Sequence, residues 1–198
     1  MSGFEFVLVL YAIISGLGIS DILSGWGEQV RVRHRMSAYP LQLALSFLLM
    51  YFGITFLWGL WTVRDAEWTF LLYITVAIFP LLISLASRII RVDPAIGAPT
   101  AKDQYFQVAR PIFLILSCIP ILIIVGSFTT TARELSPNRP EGMQLLQLTI
   151  FRVLLSVGML YVAWSKKVSV HWIGVSVMFL SIILLSMMLT VRSIDGAF

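Results

Sequence analysis

The stretch Ala12-Ile-Ile-Ser-Gly16-Leu-Gly-Ile-Ser20-Asp21-Ile-Leu-Ser24 decides the class of the fold. It is almost wholly apolar, yet it carries small residues at a four-residue period and one carboxylate. On a helix Ala12, Gly16, Ser20 and Ser24 form a single narrow ridge. In lipid such a ridge lets a second helix approach closely, because packing rather than hydrophobicity drives helix association there. Asp21 stands beside the ridge, where an ionised side chain is costly unless it has a partner. The stretch therefore predicts a membrane helix with a packing ridge and one candidate ion position.

The composition carries that reading to the rest of the chain. Its 198 residues are 59% hydrophobic and 12% charged, about half the charged fraction of a soluble domain. Too few polar side chains are present to cover a water-facing surface. Six long apolar runs predict an all-α integral membrane bundle of six transmembrane helices in one domain spanning 1–198. The spans fall at about 4–24, 41–63, 68–87, 111–129, 145–164 and 168–191. Each can cross a hydrocarbon core about 30 Å thick. The expected partner is the lipid bilayer. The formal charge of +4 is scattered over connecting loops, which argues against nucleic acid.

Punctuation between the runs predicts their ends. Gly25-Trp26-Gly27-Glu28 is expected to stop the first helix, and Pro40 to open the second. Met-Ser-Gly-Phe-Glu lacks a basic leader region, so the first run is expected to stay as an uncleaved span. Thr100-Ala-Lys-Asp103 resembles a capping box, and a short amphipathic helix over 100–110 is expected to lie along the cytoplasmic surface, apart from a fourth span opening at Pro111. Arg31, Arg33 and Arg35 form the densest basic cluster, suited to anionic headgroups or a cytosolic partner. One set of connections holds Arg31, Arg33, Arg35, Arg88, Arg91, Lys102, Arg110, Lys166 and Lys167. The opposite set holds Arg64, Arg133, Arg139 and Arg192. The positive-inside rule assigns the first set to the cytoplasm and both termini to the outside. Trp58, Trp61 and Trp68, with Trp26, Trp164 and Trp172, then fall at the two interfaces as aromatic belts.

Two ions inside apolar runs need partners. Asp21 lies roughly 25 Å along the first span, and Arg152 about 10 Å below the outer end of the fifth. Glu5, at the outer end of the first span, is the expected counterpart of Arg152 because it is closer in depth. Pro80 and Pro120 each remove a backbone donor near mid-depth, the level of Gly16 and Gly18. Broken helices at the midplane often line substrate sites, so Asp21, Arg152, Glu5, Pro80 and Pro120 are the candidates for an ion or solute pathway. A faint spacing match of Gly53, Trp61, Trp68, Arg91 and Asp93 with Gly158, Trp164, Trp172, Arg192 and Asp195 raises an inverted three-plus-three repeat.

Other chemistry finds no support. His34 and His171 show no metal-ligand spacing, so no metal and no cofactor is expected. Cys118 is alone in the chain and is expected to be a small buried packing residue. No nucleophile–base set, phosphate-cradling loop or second carboxylate beside Asp21 suggests an enzyme. No run of arginines suggests a voltage sensor.

Phe4-Glu5-Phe6, Gly16-Leu-Gly18-Ile19, Leu23-Ser24-Gly25 and the tryptophan-rich second span resemble an uncharacterised group of small polytopic inner-membrane proteins of bacteria. The resemblance covers mainly residues 4–68. It implies a multi-pass protein of the bacterial inner (cytoplasmic) membrane and no activity. Two functions from different classes follow from the residues themselves. One is a channel or transporter for an ion or small solute. The other is a non-catalytic subunit, assembly factor or sensor, a homo-oligomer or part of a membrane complex, docking through the Ala12–Ser24 ridge.

Overall fold

Six helices alternate in direction through the computed structural model, which describes residues 3–32, 39–64, 68–91, 100–131 and 140–195. They are α1 (Gly3–Val32), α2 (Pro40–Gly59, extended by a tight turn over Leu60–Val63), α3 (Phe70–Ile90), α4 (Ala101–Thr131), α5 (Pro140–Trp164) and α6 (Val168–Asp195). Among the described residues there is no strand. The first five helices are each long and apolar enough to cross a membrane, and α6 contributes a shorter apolar stretch, Val168–Leu184. Large apolar side chains such as Phe70, Leu154, Ile173 and Leu180 point outward. An exterior of that kind suits lipid rather than water.

Helix starts follow local chemistry. Pro40 occupies the first turn of α2, where its missing N–H is no loss. Thr69 caps α3 by accepting from the Leu72 amide at 3.3 Å. Thr100 opens α4 as the sequence suggests: its hydroxyl accepts from the Asp103 amide at 3.2 Å and donates to Asp103 Oδ2 at 2.6 Å.

Two expected helix ends are absent. The first helix runs straight through Gly25 and Gly27 to Val32, and no glycine among the described residues adopts a positive φ. Gly25 is a contact instead, since a Cβ there would sit 3.4 Å from Arg91 Cγ. Nor is 100–110 a separate surface helix. It is the beginning of the 31-residue α4, with Pro111 inside it. Tyr105, Ala109, Ile112, Phe113, Leu116 and Ile119 make one buried stripe across that proline. Its burial offsets the single backbone bond Pro111 removes.

Helices α1 and α3 pack side by side and parallel. Gly3 lies on Trp68, Gly18 on Ser84 and Gly25 on Arg91, a numbering offset of 65 or 66 throughout (68−3, 84−18, 91−25). The other principal contacts are α3 with α4 and α4 with α5. Helix α2 fills the middle, with Leu41, Leu45, Leu48 and Leu49 fully buried, and α6 leans on it through stacked Phe47 and Phe179, 5.8 Å between ring centres. The halves are thus packed differently, α1 on α3 in one and α4 on α5 in the other. That geometry lends the spacing match between the halves no support. Cys118 is exposed, not buried. It sits on the lipid side of α4, with its thiol turned back to the Leu114 carbonyl at 3.4 Å.

Candidate functional site

The face that α1 turns inward is not the predicted ridge. Val7, Tyr11, Ser15, Gly18, Ile22 and Gly25 are buried, whereas Ala12, Gly16, Ser20 and Ser24 are all exposed. The buried set repeats at three and four residues, the spacing of a helix seam. Its glycines provide the close approach that the ridge was expected to give. A Cβ on Gly18 would lie 3.1 Å from the Ser84 Cα and 3.5 Å from Ser87 Oγ, while a Cβ on Gly16 would meet nothing within 4 Å. The ridge therefore faces away from the other described helices.

Both ions have partners on a neighbouring helix. Arg88 Nε donates to Asp21 Oδ2 at 3.0 Å, with the Asp21 side chain 24% and the Arg88 side chain 64% exposed. This pair lies within one position of the α1–α3 offset of 65 or 66, since 88−21 is 67. At the other end of the bundle Arg152 Nη1 donates to Ser127 Oγ at 3.0 Å, and that hydroxyl donates onward to the Ile123 carbonyl at 2.8 Å. The expected Glu5–Arg152 pair is replaced by this contact. Helix α5 packs on α4 rather than on α1, so a hydroxyl of α4 is what the guanidinium reaches. Asp21 and Arg152 stay at different depths, as their positions in the sequence implied.

The two prolines do share a level. A Cβ on Gly126 would touch Thr75, so in the antiparallel α3–α4 pair Pro120 stands opposite residue 81 (75+126−120), one position from Pro80. The α1–α3 offset of 66 puts Ser15 at the same depth (81−66). Pro80 and Pro120 are both buried. In the turn disturbed by Pro120, Ser156 of α5 donates to the Ser117 carbonyl at 2.6 Å. On the α1 side of Pro80 lie two neighbouring hydroxyls, Tyr11 and Ser15. Both are buried, and neither reaches a polar group other than its neighbour.

A third constellation gathers at the end of the bundle where α4 and α6 begin. His171 is 1% exposed and lies edge-on to the rings of Tyr105, Phe106 and Phe113 at 5.1 to 5.5 Å. Its Nε2 is 2.9 Å from the Ser165 carbonyl, an acceptor only, so Nε2 carries the proton. Nδ1 then accepts from the Tyr105 hydroxyl, also at 2.9 Å. The ring ties the α5–α6 turn to α4 and is fully satisfied. Nearby, the Arg110 guanidinium stacks 5.1 Å from the Trp164 ring. Gln42 Nε2 donates to the Ile90 carbonyl at 2.8 Å and so caps the end of α3.

The basic cluster is only partly visible. Arg31 pairs with Glu28 at 2.8 Å, and Arg33 and Arg35 lie outside the described residues. An open cleft of about 500 Å³ lies between α1, α2 and α6, lined by Trp26, Leu43, Ala44, Phe47 and Phe179. The Trp26 indole, its one polar group, is already committed to Ser46 Oγ at 2.8 Å. Such a cleft offers a polar solute nothing to bind.

Sequence reasoning missed Arg88, the Tyr11–Ser15 pair and the His171 cluster. A signal for the first two was available: Tyr11, Ser15, Gly18, Ile22 and Gly25 follow seam spacing on α1, as Ser84, Arg88 and Arg91 do on α3. Nothing in the sequence places His171 against Tyr105. No family model matches the chain, and no curated protein or solved structure is detectably similar to it.

Proposed function

We propose that the protein is a non-catalytic membrane subunit that docks another transmembrane helix on the outer face of α1. One observation carries this reading: Ala12, Gly16, Ser20 and Ser24 form a continuous small-residue strip that is exposed among the described residues. Small residues on a lipid-facing strip gain nothing from lipid, which fills the space as well against leucine. They gain close backbone contact when a helix covers them. The two ions, which would otherwise demand a functional explanation, are answered by Arg88 and Ser127. The setting is a bacterial inner membrane, with α6 as the sixth span and the basic connections in the cytoplasm. The partner is a second copy or a different membrane chain.

The test uses one glycine of the strip. A Cβ at Gly16 meets no atom within 4 Å and the position faces outward, so Gly16→Leu inserts and folds, yet the assembled species seen in native gels or by mass photometry in nanodiscs is lost. Retention of the wild-type assembled mass by Gly16→Leu refutes docking through this face.

A pathway for an ion or small solute is the second reading, favoured by the coincidence of Pro80, Pro120 and Ser15 at one depth above the half-open Asp21–Arg88 pair. In that case Asp21→Asn abolishes flux in proteoliposomes while the protein stays folded. Unchanged flux in the variant, or none from the wild type, excludes it.

A further inference from the structure

The turn between α5 and α6 lies where two apolar segments end. Trp164 closes the candidate span Leu146–Trp164, and the apolar stretch of α6 begins at Val168. Only Ser165, Lys166 and Lys167 stand between them. The turn is firmly built. The Ser165 amide donates to the Tyr161 and Val162 carbonyls at 3.2 and 3.1 Å, and the Ser165 hydroxyl accepts from the Lys167 amide at 3.2 Å. The Ser165 carbonyl accepts from buried His171. These bonds leave both lysine side chains exposed.

Helix α4 brings a third cation to the same level. The Ser156–Ser117 bond sets the antiparallel register of α4 and α5. It places Trp164 opposite residue 109 (156+117−164), next to Arg110. The Arg110 guanidinium accordingly lies over the Trp164 ring, 5.1 Å from its centre. A guanidinium held on an indole face keeps its N–H donors free along its edge. Among the described residues Arg110 has no hydrogen bond or ion pair, and neither have the ammonium groups of Lys166 and Lys167. Two other arginines at this end of the bundle differ, because Glu28 answers Arg31 and Asp21 answers Arg88. Asp103, two turns before Arg110 on α4, is held by Thr100. Helix α6 starts at Val168 and adds the positive end of its dipole to the corner.

The surface on the membrane side of these cations is apolar. Beyond the contact of Gly174 with Val162, α5 follows α4 and α6 follows α2. Val157 and Tyr161 on α5, with Ile173 and Val177 on α6, stay exposed there. We infer that the corner of Arg110, Lys166 and Lys167 around Trp164 binds the phosphate of an anionic phospholipid. The phosphate oxygens accept from the guanidinium edge and the two ammonium groups, and the acyl chains lie along α5 and α6. A free phosphate ion satisfies the cations but leaves the apolar surface unused. No residue of this site belongs to α1, so it stands apart from docking on the outer ridge.

The test uses the full-length protein in nanodiscs of phosphatidylcholine with a minor share of phosphatidylglycerol. Native mass spectrometry reads which lipid stays bound. The wild type retains phosphatidylglycerol in preference to phosphatidylcholine. Arg110→Gln, Lys166→Gln and Lys167→Gln each weaken that retention about fivefold, the effect of one basic residue at an anionic surface. Arg31→Gln removes a charge that Glu28 already answers, and leaves retention unchanged. All four positions are exposed, so the variants fold as the wild type does. Equal weakening by Arg31→Gln and Lys166→Gln would mean that the lipid answers only the net charge of this end, and it overturns the inference. Absence of any preference for phosphatidylglycerol in the wild type overturns it too. So does release of the bound lipid by inorganic phosphate, which makes the free ion the ligand.

Discussion

The α1–α3 seam makes a quantitative prediction through two glycines two residues apart. At Gly16 an added Cβ touches nothing, so Gly16→Ala changes only the backbone and gains up to about 1 kcal/mol of helix propensity. At Gly18 the same methyl would sit 3.1 Å from the Cα of Ser84. Ordinary contact begins several tenths of an ångström further out, and the obstacle is main chain, which cannot rotate aside as a side-chain tip can. Helix α3 must move as a whole, disturbing Ser87 and the Asp21–Arg88 pair in the next turn. Overpacking of this kind costs about 1–3 kcal/mol, against the same propensity gain. Gly18→Ala is therefore less stable than Gly16→Ala by about 1–3 kcal/mol. Gly18→Leu is worse still, whereas Gly16→Leu folds like the wild type. Reversible unfolding of each variant in mixed detergent–lipid micelles, followed by helical circular dichroism, measures the differences. Equal stability of the two alanine variants would mean that α1 and α3 are not in the close register described above.

Other substitutions test the remaining contacts. His171→Phe keeps the ring packing but strands the Tyr105 hydroxyl and the Ser165 carbonyl; it lowers stability by about 2–4 kcal/mol in the same unfolding assay. Arg152→Met removes a charge that meets a neutral hydroxyl, not a carboxylate, among the described residues. Because an isolated charge in the membrane is costly, this variant is as stable as the wild type or more so, and clear destabilisation would show that the guanidinium has a counterion. Asp21→Asn costs less than about 1 kcal/mol, since the pair with Arg88 is half open and exposed pairs contribute little; thermal unfolding in nanodiscs reads this directly. Trp26→Phe removes the indole bond to Ser46 that links α1 to α2, for a loss of about 1 kcal/mol in the same assay.

Helix number and approximate span were legible in the sequence because lipid enforces them: each apolar run must be a helix with its backbone bonds closed on itself. Helix ends were less legible. Glycine and proline punctuate helices in water, where the freed backbone groups find solvent, but Gly25, Gly27 and Pro111 lie within helices here. The continuous stripe from Tyr105 to Ile119 was the signal to weigh against the proline. Asp21 was recognised as needing a partner; seam spacing pointed to the α3 stripe of Ser84, Arg88 and Arg91, and choosing Arg88 within it required the parallel register of α1 and α3. The ridge of Ala12, Gly16, Ser20 and Ser24 is exposed, and the sequence reading did not recognise the separate inward seam of α1. Period alone identifies a face, and the direction in which that face points depends on where the other five helices stand.

The parallel register of α1 and α3 also has a consequence in time. Residues that meet across this seam are separated by about 66 positions (84−18), and at roughly 5–20 residues per second the ribosome needs about 3–13 s to supply the second after the first. For that interval α1 stands in the membrane with Asp21 unmatched and with two small-residue faces open instead of one. A competing helix that arrives in those seconds can occupy the seam meant for α3. The order of synthesis therefore bears on which face of α1 remains for a partner, and slowing translation between α1 and α3 with synonymous codons would test whether the choice is made during insertion or afterwards.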